Sequence, residues 1–136
     1  QTMMAMYQAI RSLMIKAKNL LIVYNYLIQN ASTEEALMLL DLNKKTINNS
    51  IETLARIYKN TFGKDFNDSE EVAEVIPEPV DFPSAVHCAF IEETQIIQML
   101  KNLYLKTDSN DKNTCFNAMI EQQINALRVI YLSNKN

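Results

Sequence analysis

The chain contains few of the residues on which all-β proteins and nucleic-acid-binding proteins depend. Its 136 residues include one glycine, three prolines and no tryptophan. So few glycines and prolines cannot supply the tight turns of a protein with many strands. The 13 lysines and arginines are scattered and the formal net charge is −3, so no basic stripe is available for nucleic acid or anionic lipid. The absence of tryptophan, with the tyrosines and phenylalanines at helical intervals, also leaves no stacking platform for single strands.

Long apolar runs and clustered cysteines are missing as well. The most apolar stretch, NLLIVYNYLI, is interrupted by Asn25 and is shorter than the roughly 18 residues that a membrane span requires. The opening residues show no small-residue cleavage site of a signal peptide. Cys88 and Cys115 are predicted to lie roughly 20 Å apart along a helical hairpin, too far for a disulfide. We therefore expect a cytoplasmic protein with no membrane partner.

Apolar residues that recur every three or four positions predict four amphipathic helices. The first is expected over about 3–29. The second is expected to begin after a capping box made by Ser32 and Glu35. It should end at Gly63, the only glycine, which suits the left-handed conformation that often follows a helix.

The second half of the chain repeats this helical hairpin. Pro83 suits the first turn of a third helix, and the fourth helix is expected over about 113–132. The segment between helices two and three, about 64–82, is long enough to run the length of a bundle. The sequence thus predicts an all-α, antiparallel four-helix bundle of one domain, 1–136, in which a long crossover joins two hairpins.

One carboxylate falls on the inward stripe of the third predicted helix. In AFIEETQIIQMLKNLYL, residues 89–105, Glu93 occupies a position where another leucine is expected. Counting along the hairpin places Glu93 level with Gln122 and Asn125 of the fourth helix. An acid and two amides at one level can satisfy one another by hydrogen bonds, which predicts a small polar layer. The adjacent Glu92 points about 100° away and is expected to be solvated.

Three spans of the chain resemble the bacterial ferritin-like, rubrerythrin-related family. They are LMLLDLNKKTINNSIETLARIYKNTFG, FPSAVHCAFIEETQIIQMLKNLYLKT and FNAMIEQQINALRVIYL. That family has a four-helix bundle with a di-iron centre between the helices. Its members carry one glutamate on the first and third helices and a Glu-x-x-His pair on the second and fourth. The resemblance implies a ferritin-like fold with iron as its cofactor.

The residues at the family's ligand positions differ from that pattern. Glu93 matches the third-helix acid. The other positions are filled by side chains that are neutral in this sequence: Ala17 on the first helix, Ile47 and Ser50 on the second, and Gln122 and Asn125 on the fourth. Two iron ions need several anionic oxygen donors, so a single carboxylate leaves most of their charge uncompensated. These six residues are therefore interpreted as the lining of a vestigial site that holds no metal.

The sequence supports a non-catalytic structural or interaction module that has lost its di-iron centre and forms a homo-oligomer. One alternative is a metal-dependent oxidoreductase of the rubrerythrin type that uses iron in an atypical site around Glu93. Another is a surviving cavity near Glu93 that holds a small apolar ligand. On the sequence alone, replacing Glu93 with leucine should be tolerated or stabilising, because hydrocarbon would replace a core acid.

Other candidate residues have simpler interpretations. His87 has no evident nucleophile and orienting acid, so we expect it at the surface. The methionines near the start of the chain are expected to fill the core or a dimer contact; they are Met3, Met4, Met6 and Met14. The acidic segment is expected to be a solvated loop; its acids are Glu70, Glu71, Glu74 and Glu78.

Overall fold

A computed structural model describes residues 3–67 and 78–135 of the chain. These residues form four α-helices and no strand, which confirms the predicted all-α class. The helices are α1 (Met3–Gln29), α2 (Glu34–Phe62), α3 (Phe82–Lys106) and α4 (Ser109–Lys135).

The four helices pack as a ring in the order α1, α2, α4, α3, so that each contacts two neighbours. Between α2 and α4, Asn43 lies against Asn125 near the middle of α4, while Asn60 in the last turn of α2 donates to Asp111 in the first turn of α4. Because residue numbers rise along one helix as they fall along the other, the two helices are antiparallel. The predicted antiparallel four-helix bundle is therefore confirmed.

Local sequence sets both ends of α2. Its N-cap is Thr33, whose hydroxyl accepts a hydrogen bond from the backbone N–H of Ala36 at 3.0 Å. The predicted capping box of Ser32 and Glu35 is therefore wrong by one residue. The C-terminal prediction is confirmed, because Gly63 has φ 74° and its N–H bonds to the carbonyl of Lys59.

The start of α3 also follows from side-chain capping. Asp81 accepts a hydrogen bond from the backbone N–H of Ser84 at 2.8 Å, which holds the pKa of this exposed carboxyl below its usual value. Pro83 lies in the first helical turn, as predicted, where its missing N–H costs no hydrogen bond.

Helix α4 begins at Ser109 rather than at about residue 113, so the predicted start is wrong. The carboxylate of Asp108 accepts hydrogen bonds from the backbone N–H groups of Asn110 and Asp111. These contacts satisfy donors that a helix leaves unpaired in its first turn. Residues 109–112, predicted as part of a polar loop, therefore form the first turn of α4.

The connection between α2 and α3 joins opposite ends of the bundle. Asn60, in the last turn of α2, contacts Asp111 in the first turn of α4. At the other end, Pro83 in the first turn of α3 shares a pocket with Ser133 in the last turn of α4. Residues 68–77 lie outside the described part of the chain, and so does the path of the predicted crossover.

The acidic segment is described only in part. The predicted loop acids Glu70, Glu71 and Glu74 lie outside the described residues, whereas Glu78 is exposed. His87 is exposed, as expected. None of the helices in residues 3–67 and 78–135 combines the length and apolarity that crossing a membrane would need.

Most buried residues of the bundle are apolar, and most of the buried polar residues lie around Glu93. The cysteines are free, with Cys115 buried in the core and Cys88 half-buried. Burial raises the pKa of the Cys115 thiol to about 11, so the thiol stays neutral, and its Sγ donates to the carbonyl of Leu100 at 3.4 Å. Among the methionines predicted to fill the core or a dimer contact, two are buried and two exposed: Met6 and Met14 are buried, and Met3 and Met4 are exposed.

Candidate functional site

The polar level of the core is centred on Glu93, whose side chain has no solvent exposure. Three side chains from two other helices donate hydrogen bonds to its carboxylate. The Tyr24 hydroxyl of α1 donates to Oε2 at 2.5 Å, and Gln122 Nε2 of α4 donates to Oε1 at 2.5 Å. Asn125 Nδ2, one turn further along α4, donates to Oε2 at 3.0 Å. Glu93 thus joins α3 to α1 and α4.

Two further hydrogen bonds, both from α2, fix the orientation of two of these donors. Ser50 of α2 donates to the amide oxygen of Gln122 at 2.7 Å, so the amide nitrogen of Gln122 faces Glu93. Asn43 of α2 donates to the hydroxyl oxygen of Tyr24 at 3.1 Å, so the Tyr24 proton points to the carboxylate. The site is therefore preorganised to donate to an acceptor at position 93.

Asn43 and Asn125 make a reciprocal bridge between α2 and α4. Asn43 Nδ2 donates to the backbone carbonyl of Asn125 at 3.0 Å, and Asn125 Nδ2 donates to the backbone carbonyl of Asn43 at 3.1 Å. Arg128 closes the bridge, since its Nη1 donates to the side-chain oxygens of both asparagines at 3.2 Å. The side-chain amide of Asn125 therefore links the guanidinium of Arg128 to the carboxylate of Glu93.

Burial dominates the electrostatics of this layer. It raises the pKa of Glu93 from its ordinary 4.5 to about 7, and the hydrogen bonds from Tyr24, Asn125 and Gln122 oppose that rise. The pKa of Tyr24 is raised well above its ordinary value by burial first and by the nearby Glu93 second. Tyr24 therefore stays a protonated donor at neutral pH.

The structure buries all six residues predicted to line the site. Ser50, Gln122 and Asn125 join Glu93 in one hydrogen-bonded cluster, which also contains Tyr24, Asn43 and Arg128 and is here called the Glu93 network. The predicted hydrogen bonding of Glu93 with Gln122 and Asn125 is therefore confirmed. Ala17 and Ile47 are buried but contribute only hydrocarbon.

Three members of the Glu93 network were missed on the sequence. Tyr24 lies among the buried apolar residues of the first helix, where its ring gives no signal that its hydroxyl bonds to Glu93. Asn43 lies three residues after Leu40 and four before Ile47, so its position on the inward stripe was a usable signal. Arg128 lies off the inward stripe of α4 and reaches the network only through the length of its side chain.

Glu92 also differs from its prediction as a solvated residue. Its carboxylate lies 2.7 Å from Lys16 Nζ, and its side chain is only 22% exposed. The prediction failed because the neighbouring helix α1 supplies a long cationic side chain at this level. This ion pair lies at the surface and is separate from the Glu93 network.

The residues of the network do not fit a di-iron centre. Among the described residues there is no group of three or more histidine, cysteine, aspartate or glutamate side chains that could hold a metal ion. The amide nitrogens of Gln122 and Asn125 face the carboxylate, and nitrogen of an amide is not a metal ligand. Their oxygens already accept from Ser50 and Arg128. The guanidinium of Arg128 would also repel a cation here.

The structure gives no support to an apolar cavity beside Glu93. Hydrogen bonds occupy both carboxylate oxygens of this residue. An apolar pocket does lie at the surface, between Met38 of α2 and Leu127 of α4.

From the Glu93 network we expect the opposite of the result that the sequence alone predicts for replacing Glu93 with leucine. A leucine would leave the Tyr24 hydroxyl and the two amide nitrogens without their acceptor in the core. Each unsatisfied buried donor costs about 1–3 kcal/mol. We therefore expect the acid to stabilise the bundle at this level.

Comparison with known proteins gives no relative for this chain. No family model matches it, and no match was found among the curated proteins or the solved structures. The resemblance to rubrerythrin-related proteins therefore rests on the three sequence spans alone.

Proposed function

We propose that this chain is a non-catalytic four-helix bundle of ferritin-like ancestry, in which a closed hydrogen-bond network occupies the place of a di-iron centre. It acts as a structural or interaction module, and its partners meet its surface rather than its core. The observation that carries this proposal is the pairing of both oxygens of Glu93 with donors whose orientation other residues fix.

Two further features support a module without chemistry in its core. The carboxylate has no solvent exposure, so a substrate has no described path to it. The other polar side chains of the Glu93 network are neutral, or cationic in the case of Arg128. The hydroxyl of Ser50 donates to the amide of Gln122, which is not a base that could activate it as a nucleophile. Residual metal-dependent oxidation, the alternative function, is favoured by no observation.

Metal analysis tests the proposal. Protein purified from iron-supplemented cells is expected to contain far less than one iron or manganese ion per chain, because one carboxylate cannot offset the charge of two cations. Elemental mass spectrometry after gel filtration makes the measurement. The Glu93→Gln variant serves as the control and should carry the same trace of metal. Two ions per chain in the unsubstituted protein, lost in Glu93→Gln, would refute the proposed function.

A further inference from the structure

Helix α4 has a second apolar stripe on the side opposite the core. Its members are spaced by three or four residues and are between 39% and 64% exposed. They are Phe116, Ile120, Ile124, Leu127 and Tyr131, here called the outer stripe. Because successive members lie on one face of the helix, they form a continuous seam. A seam with this spacing is the surface that another helix packs against by inserting knobs into holes.

The size of this surface matches an interface. Met38 of α2, 56% exposed, extends the outer stripe across a groove that Leu127 and Tyr131 also line. Together these side chains expose roughly 500 Å² of apolar surface, at the upper end for a monomer. A standard interface buries about 800 Å² per partner, of which rather more than half is apolar. One copy of this surface therefore supplies the apolar share of one side of a stable interface.

Charge along α4 indicates which partner fits. Between residues 116 and 131 the only charged residues are Glu121 and Arg128, so the segment has no net charge. Glu121 is exposed and has no ion-pair partner within the part of the chain that the structure describes. Arg128 uses only Nη1 for its bonds to Asn43 and Asn125 and lines the surface groove. Its other N–H groups are available to a carboxylate.

We propose that the outer stripe is the contact of a two-fold homodimer in which α4 packs antiparallel against α4 of a second copy. Antiparallel packing about an axis near Ile124 places Glu121 level with Arg128 of the partner copy, twice per dimer. It also places Leu127 between Ile120 and Ile124 of the partner copy, as interleaved knobs require. Parallel packing would bring like charges together instead. This inference rests on the proposed function, because it names the surface and partner of the module.

Sedimentation equilibrium with Leu127→Glu tests the dimer. The unsubstituted chain at 100 µM should have twice its monomer mass of 15.6 kDa. Leu127→Glu should raise the dissociation constant about 100-fold, because it places two carboxylates in the centre of the seam. Leu127 is 64% exposed, so helical circular dichroism should not change.

Leu105→Glu is the matched control, since Leu105 of α3 is 67% exposed and lies outside the outer stripe. This variant should dimerise like the unsubstituted chain. Equal weakening by both substitutions would overturn the proposal, because association would not depend on this face. A chain that stays monomeric at every concentration would also overturn it and leave the face to a different partner.

Cross-linking tests the orientation of the two copies. In a Cys88→Ser background, Ile124→Cys should form a disulfide-linked dimer on mild oxidation, because residue 124 lies near the two-fold axis. Tyr131→Cys should not, because antiparallel packing separates the two copies of residue 131 by about 20 Å along the helix. Efficient cross-linking through residue 131 would show parallel packing and contradict the proposal.

These tests are independent of metal analysis. A dimer that contained two iron ions per chain would refute the proposed function and leave the interface standing. A metal-free monomer would refute the interface alone.

Discussion

Replacing Glu93 with leucine is expected to lower the free energy of unfolding by about 3 kcal/mol at pH 5, because three buried side chains lose their hydrogen-bond partner. These side chains are Tyr24, Gln122 and Asn125, which all bond to Glu93, and Glu93 has no solvent exposure. Urea unfolding followed by circular dichroism measures the change. The loss should be smaller above pH 7, because leucine also removes the cost of burying an ionised acid.

Glu92→Leu is the matched control for this substitution. It changes the neighbouring residue in the same way but removes only a surface ion pair with Lys16, 2.7 Å away. Such pairs contribute at most about 1 kcal/mol. If Glu93→Leu proved as stable as Glu92→Leu or more stable than the unsubstituted chain at pH 5, the network would not hold the bundle together.

Raising the pH from 4.5 to 7 is expected to remove about 3 kcal/mol of stability that depends on Glu93. The pKa of Glu93 is about 7 in the folded protein and 4.5 ordinarily, so between these values the folded chain binds one more proton than the unfolded chain. Each pH unit in that window lowers stability by about 1.4 kcal/mol. The contribution is complete below pH 4.5 and is lost as the pH rises through 7.

The comparison with Glu93→Gln isolates this titration. Glutamine has nearly the shape of the protonated acid and no proton to lose, so its stability should not follow the titration of residue 93. Unfolding free energies of both proteins are measured between pH 4.5 and 8, and the difference is plotted, which cancels shared groups such as Asp81. A difference that does not change with pH would mean that the folded protein leaves the pKa of Glu93 at its ordinary value.

The protonated state has a specific structural consequence. The amide nitrogens of Gln122 and Asn125 can only donate, so the hydroxyl oxygen of Tyr24 is the neighbour able to accept the acid proton. Below the pKa of Glu93, the 2.5 Å hydrogen bond between Tyr24 and Glu93 therefore reverses direction. The carboxylate needs no such change, because all three donors already point to it.

The sequence predicts the helices well because their ends depend on local chemistry. Gly63 adopts positive φ, and Pro83 lies in the first turn of α3, as expected from residue type alone. The start of α4 was predicted too late because a capping aspartate, Asp108, converts a polar segment into the first helical turn. A run of polar residues is typical of a loop as well as of a capped first turn, so the sequence alone did not determine where α4 begins.

The candidate site could be predicted where periodicity determines position. Helical spacing alone placed Glu93, Gln122 and Asn125 at one level, and their hydrogen bonds follow from that. Spacing could not reveal what Tyr24 and Arg128 do, because their polar atoms lie several bonds from the backbone and reach other helices. The preorganisation of the layer depends on these long side chains, so it required the three-dimensional structure.

We propose that protein donors, and not metal ions, hold the carboxylate of Glu93. The side-chain carboxyl ¹³C resonance of Glu93, recorded between pH 5 and 9 under anaerobic conditions with and without two equivalents of ferrous iron, distinguishes the two. We expect a titration midpoint near 7 and a resonance that iron leaves unchanged. Broadening of that resonance that is complete at two iron ions per chain would contradict it.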